Sequence, residues 1–278
     1  MYEPRPPDSS GPRFRIIAVT NQKGGVGKTT TTINLGTALA AIGQRVLIID
    51  LDPQGNASTG LGISEGRCLK SVYNAIVERM PLKDTIVPSA IPGLSIVPSN
   101  IDLSGAEIEL VQVSRRSFRL RDALRAFDAS PAGDSQPFDY VLIDCPPSLN
   151  VLTVNALTAA NAALVPLQCE FFALEGLSKL MKTIERVKNS LNLGLEIQGI
   201  VLTMFDRRNK LCGQVAADVR EHLGAKVYNT VIPRNVRVSE APSYGKPALL
   251  YDHRCAGSQA YIRLASELIQ RERALRAA

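Results

Sequence analysis

The sequence predicts an α/β protein: a mostly parallel, twisted β-sheet flanked by helices on both faces. Three observations predict it. Short β-branched runs recur along the chain, amphipathic stretches separate them, and the runs are apolar almost throughout. Strands buried on both faces read this way, because helices cover each side of a parallel sheet. With 278 residues, 45% of them hydrophobic, the chain can bury a full core.

Residues 1–13, "MYEPRPPDSSGPR", hold four prolines and almost nothing apolar, so a flexible tail is expected there, with 14–278 as one domain. "RIIAVT" at 15–20 is the first strand, followed by a glycine-rich turn. "TTTTINLGTALAAI" at 29–42 then reads as a helix that stops at Gly43. Further strands are "RVLIID" at 45–50, "LSIVPS" at 94–99, "YVLIDCP" at 140–146, "AALVPLQ" at 162–168, "QGIVLTMF" at 198–205 and "KVYNTVI" at 226–232. Residues 172–190 and 257–273 are amphipathic helices, the second closing the chain.

The net charge of +6 is unevenly placed. Residues 1–180 carry 16 basic against 17 acidic side chains, and residues 181–278 carry 16 against 9. A basic C-terminal third suits a polyanion, either nucleic acid or an acidic membrane surface, although charge alone is equally met by a solvated basic face. No apolar run reaches the roughly 18 residues that cross a bilayer, and no basic-then-apolar secretory signal opens the chain, so a cytoplasmic location is expected. Cys68, Cys145, Cys169, Cys212 and Cys255 are scattered without a C-x-x-C pair. They read as buried thiols rather than disulfides, a zinc site or an iron–sulfur cluster.

"NQKGGVGKTT" at 21–30 departs from the usual phosphate loop, G-x-x-x-x-G-K-[ST], by having Gln22 where glycine is expected. Its context is right: a strand before it and a helix from Lys28. Gly24, Gly25 and Gly27 let backbone N–H groups crowd around phosphate oxygens at a helix N-terminus. Lys28 would reach the β- and γ-phosphates, and Thr29 would offer a hydroxyl to Mg²⁺. Asp144 ends the strand "YVLID" at the edge where ligands of parallel sheets bind, as a Mg²⁺-holding carboxylate does. Asp50 and Asp52 share one side of an extended segment by their i, i+2 spacing. Lys23, five residues before Lys28, cannot serve the same oxygens in the same geometry.

The loop "KGGVGKTT", with "DLDPQGN", "LIDCPPS" and "IPRNVRVSEAPSYGKP", resembles the ParA/Soj partition ATPases, deviant Walker A proteins related to MinD, over residues 14 to 270. The resemblance implies an ATPase using ATP, ADP and Mg²⁺, with contacts along the loop from Lys23 through Val26 to Thr30. It implies that Asp52 positions the attacking water, that Asp144 is the Walker B carboxylate, and that Pro233, Asn235 and Met204 line the adenine pocket. It makes Lys23 the signature lysine, reaching the partner's phosphates across an ATP sandwich homodimer. A carboxylate is a weak base, so hydrolysis prepared by one is expected to be slow. Arg208 and Arg237, with Arg207, Lys210 and Arg234 nearby, match positions implicated in sequence-independent binding of double-stranded DNA. A ParB-like centromere-binding protein is the implied partner, with a nucleoid-associated location and partition of chromosome or plasmid DNA as the task. The alternatives are positioning of another cargo and a MinD-like membrane role. The latter asks for a C-terminal amphipathic helix rich in bulky apolar residues. The end of this chain offers Leu264, Leu268, Ile269 and Leu275 without Phe or Trp, so no stable membrane association is expected.

Overall fold

The computed structural model describes residues 13–63, 70–129 and 138–277. Seven strands form one sheet: β1 (Arg15–Val19), β2 (Val46–Asp50), β3 (Val87–Pro88), β4 (Leu94–Val97), β5 (Tyr140–Asp144), β6 (Ala162–Gln168) and β7 (Glu196–Thr203). Their order is β3-β4-β2-β5-β1-β6-β7, parallel except for the short β3 edge on β4. The helices are α1 (Lys28–Ala41), α2 (Asn56–Gly60), α3 (Val72–Ile76), α4 (Ala106–Glu109), α5 (Arg119–Ala129) and α6 (Val151–Ala159). They continue with α7 (Ala173–Ser190), α8 (Lys210–Leu223), α9 (Val236–Glu240), α10 (Ala248–Tyr251) and α11 (Ala256–Ala277).

The expected fold class holds, and β1 explains the unbroken apolar pattern. Ile16 and Ala18 enter the core that α5, α6 and α7 cover, while Ile17 and Val19 enter the one under α1 and α11. Each strand residue therefore meets a helix whichever way it points. The chain leaves β1, passes over β5 and continues in β2, while β6 lies on the other side of β1. That reversal of strand order opens a crevice above the carboxyl ends of β1 and β5, where such sheets take ligands.

One expectation changes. Residues 226–232 do not form a strand; they touch the sheet through isolated bridges, Ile200 to Val227 and Phe205 to Pro233. Tyr228 N and Ile232 N still donate to Ile200 O and Leu202 O at 2.9 and 2.8 Å. Between them, the N–H groups of Asn229 and Thr230 turn away to the Glu267 carboxylate on α11, both at 2.9 Å, and the ladder breaks. At the other end, only residues 1–12 of the expected tail lie outside the described residues. Arg13 is anchored on α5, its guanidinium donating to Asp128 Oδ1 at 3.1 Å and to Asp128 O at 2.7 Å.

The C-terminal helix has structural work. Leu264 and Leu268 are fully buried in the core beneath α1, Ile269 packs beside them, and the Leu275 side chain lies outside the described residues. Among the described residues no helix is long and apolar enough to cross a membrane. Cys145, Cys169 and Cys212 are buried thiols and Cys255 is half-buried; Cys68 lies outside the described residues.

Candidate nucleotide-binding site

The loop between β1 and α1 borders a cavity of about 850 Å³. Gly25 and Gly27 turn it with φ of 72° and 88°, a region that disfavours side chains. Gly27 caps α1 with no side-chain acceptor, and the first turn of α1 carries no acid. Its free N–H groups and partial positive charge are thus left for an anion. Lys28 is buried, and its Nζ donates to Lys23 O at 3.0 Å. Burial lowers its pKa, against the pull of Asp144 and Asp52. An ammonium held there gains most from a phosphate in contact.

Three ties hold the loop open. Asn21 Nδ2 donates to Pro166 O at 2.8 Å, Gln22 Nε2 to Thr183 Oγ1 on α7 at 3.2 Å, and Thr203 Oγ1 to Val26 O at 2.8 Å. Gln22, the departure from the usual motif, is therefore the side chain that fastens the loop to α7. Lys23 does not line the cavity; its Nζ pairs with Glu170 beyond the end of β6. Val26 is buried and offers only its backbone.

Asp144 lies beneath the loop, fully buried, with Oδ1 accepting from Thr32 Oγ1 at 3.1 Å and Oδ2 without a partner. Burial, with Asp50 alongside on β2, pushes its pKa well up against the pull of the neighbouring Thr29 and Thr32 hydroxyls. A buried carboxylate oxygen lacking a donor, beside a threonine hydroxyl and an anion loop, is a donor set for a hard cation such as Mg²⁺. Asp50 and Asp52 part company. Asp50 Oδ2 accepts from Ser58 N and Oγ at 2.8 and 2.7 Å, and burial raises its pKa to about 6. It braces the turn, whereas Asp52 lines the cavity with Oδ1 taking Gln54 N at 3.0 Å.

The far wall comes from two loops stitched together: Phe205 N donates to Ile232 O at 2.9 Å and Arg234 N to Phe205 O at 3.1 Å. Met204, at φ 47°, Pro233 and Asn235 line it, as does Lys246–Ala248, which the sequence did not single out. That segment is held by Asn34 Oδ1, which accepts from Ala248 N at 2.8 Å. The cavity thus gathers Gly24, Gly25, Gly27, Lys28, Thr29, Thr30, Asp52, Met204, Pro233 and Asn235.

Arg208, in the loop before α8, and Arg237, on α9, stand just outside this wall. Arg208 grips Asp206 through two bonds of 3.0 Å, which lowers the Asp206 pKa to about 2. Arg237 reaches Glu240 at 3.2 Å and Asp252 at 3.8 Å. Both are paired with surface carboxylates, whereas Arg207, Lys210 and Arg234 make no ion pair among the described residues.

Comparison with known proteins agrees with this geometry. The AAA domain family matches residues 14–197. The chromosome partitioning protein ParA of Caulobacter vibrioides is 66% identical over 260 residues, 94% of this chain and 96% of that protein. The chain belongs to the ParA/Soj family. Sporulation initiation inhibitor protein Soj of Bacillus subtilis is 51% identical over 254 residues, covering 91% of this chain and 98% of its own. Among solved structures, cobyrinic acid a,c-diamide synthase of Mycobacterium smegmatis with bound ADP and magnesium superposes with a TM-score of 0.80 at 36% identity, over 94% of this chain and 96% of that one. This ParA/Soj protein is accordingly a P-loop ATPase.

Proposed function

We propose that this partition ATPase is a dimerising switch. With ATP and Mg²⁺ two copies join face to face, the dimer binds double-stranded DNA without sequence preference, and a ParB-like centromere-binding partner speeds a slow hydrolysis that ends the cycle on the nucleoid. The observation that carries this is the division between the two lysines. Lys28 occupies the phosphate loop from within, while Lys23, on the same loop, is exposed and held only by Glu170, half-exposed itself. A pair that exposed is weak and exchangeable. Facing a second copy, Lys23 is free to trade Glu170 for a phosphate across the interface, where added positive charge stabilises phosphoryl transfer.

The remaining roles follow the cavity. The backbone from Gly24 through Val26 to Thr30 cradles phosphates, and Lys28 neutralises them. Thr29 and Asp144 hold Mg²⁺, which supplies charge neutralisation at the β- and γ-phosphates. Asp52 orients the attacking water, and Met204, Pro233 and Asn235 enclose the adenine. Arg208 and Arg237 contact DNA after giving up their carboxylates, which their exposure makes a small cost. The names of the relatives support chromosome partition as the task.

DNA co-sedimentation with ATP, ADP or no nucleotide tests the reading. Wild type is expected to pellet with DNA in ATP alone, D52A to persist there, and R237E never to bind. Equal binding in all nucleotide states defeats the switch, and ATP-dependent pelleting with liposomes in place of DNA defeats the choice of ligand.

A further inference from the structure

At the opposite end of the strands from the nucleotide cavity, where β1 and β6 begin, a recess of about 330 Å³ opens between α5, the end of α6 and the turn after α7. Arg121 and Arg125, one turn apart on α5, line it together with Thr158 of α6. Thr158 is 1% exposed, and its hydroxyl has no hydrogen-bond partner among the described residues. The Arg121 Nε is buried without one as well, although such groups are normally paired.

Among the described residues the charges around the recess do not balance, Asp122 being shared between Arg115 and Arg121. Burial lowers the Arg121 pKa, and repulsion from Arg125 at i, i+4 spacing adds to it against the pull of Asp122. Asp122 stands 3.7 Å from Arg121 Nε but is engaged at 3.1 Å by Arg115, away from the recess. Arg125 makes no ion pair among the described residues. The α6 carbonyls of Leu157 and Ala160 already accept from Asn192 Nδ2, at 2.9 and 2.7 Å, so they do not account for the arginines. Phe118 supports the Arg121 guanidinium at 4.2 Å, which fixes the group before any ligand arrives.

We propose that this recess binds a terminal phosphate, either inorganic phosphate or the phosphomonoester end of a small molecule. A phosphate dianion supplies the charge that offsets both arginines, and it gives acceptor oxygens to Arg121 Nε and the Thr158 hydroxyl. A terminal phosphate offers three unsubstituted oxygens to this set of donors, whereas a phosphodiester of duplex DNA carries one charge and offers two. The site is separate from the nucleotide cavity and does not rest on the switch.

The test is calorimetric titration of ADP- and Mg²⁺-saturated protein, its phosphate loop filled, with inorganic phosphate and separately with ribose 5-phosphate in phosphate-free buffer. One further site per chain is expected for at least one ligand, and the ligand that binds identifies the source. R121Q/R125Q should abolish it, and T158V should weaken it about 10-fold, with ADP affinity unchanged in both. R125Q alone, at an exposed position, serves if the double variant fails to fold and should also weaken binding. Absence of binding by both ligands at millimolar concentration, or affinity that survives R121Q/R125Q, R125Q or T158V, overturns the proposal.

Discussion

At Gly24 a side chain has room within one chain, and the proposed face-to-face dimer would leave it none. A Cβ there meets nothing within 4 Å, and the backbone is not in the left-handed region. Gly24→Val should therefore fold and bind ATP as the wild type does, yet stay monomeric, because the valines of two facing loops would hold Lys23 away from the partner. Light scattering with ATP checks this, and an ATP-dependent dimer of the variant would falsify it. Asp50 carries a prediction of a different kind. Its folded pKa is about 6 against an ordinary 3.8, because burial disfavours the charged form despite the Ser58 hydrogen bonds. Between those values the folded state keeps a proton that the unfolded chain has released, so stability falls as pH rises through the window. Relative to D50N, the wild type should lose on the order of 2 kcal/mol from about pH 4 to about pH 6. Urea unfolding of both proteins across that range measures the difference; parallel curves would remove Asp50 as its source. At this scale the sequence exposed the glycines, Lys28, Thr29 and Asp144, because chain-local spacing and strand ends determine them. Glu170, Thr183 and Pro166 were hidden, since each meets the loop only after the sheet has brought β6 and α7 alongside β1.

Helices and strands were legible where burial is one-sided or complete, and lost where a distant element decides. The helices expected at 29–42, 172–190 and 257–273 are α1, α7 and α11 within a few residues, α7 with a long periodic pattern and α1 buried over the run Thr31–Leu39. The strand expected at 226–232 fails because Glu267, on α11, takes two of the N–H groups that a ladder needs. The same helix shapes the nucleotide wall. Gly257, at the start of α11, lies so close to α9 that an added Cβ would run into Val238 Cγ2 and reach Asn235 Cβ at 3.4 Å. Val238 is buried and β-branched, so it has little freedom to yield. Asn235 caps α9 by accepting from Val238 N at 3.3 Å, which couples the cavity wall to this contact. Gly257→Ala is expected to cost about 1–3 kcal/mol through overpacking. It should also weaken ATP binding more than binding of pyrophosphate, because the displaced wall faces the base rather than the phosphates. Equal loss for both ligands would mean that the helix contact does not act through Asn235.

For the whole molecule, the uneven charge becomes interpretable once the sheet is built. The excess of basic over acidic residues in 181–278 falls in segments that include Arg207 and Arg208 before α8, Lys210 at its start, Arg234 before α9 and Arg237 on it, beside the nucleotide wall. Three of these cations lack an ion pair among the described residues, while Arg208 and Arg237 hold carboxylates at the surface. One chain thus has few charges ready for phosphates, and a two-chain assembly doubles them. Because the logarithm of DNA affinity falls with the logarithm of salt by about 0.9 per phosphate neutralised, doubling the contacts should about double the slope. If ATP holds D52A as the proposed dimer, that form should show a salt dependence about twice that of the ADP form measured at low salt. R208A/R237A should lower the ATP-form slope by roughly 2 per chain if both arginines meet phosphates, and by much less if they remain with Asp206 and Glu240. Fluorescence anisotropy with unrelated duplexes of equal length gives these slopes directly. Equal slopes for the ATP and ADP forms would mean that dimerisation adds no DNA contacts, and the basic third of the chain would then be a solvated surface.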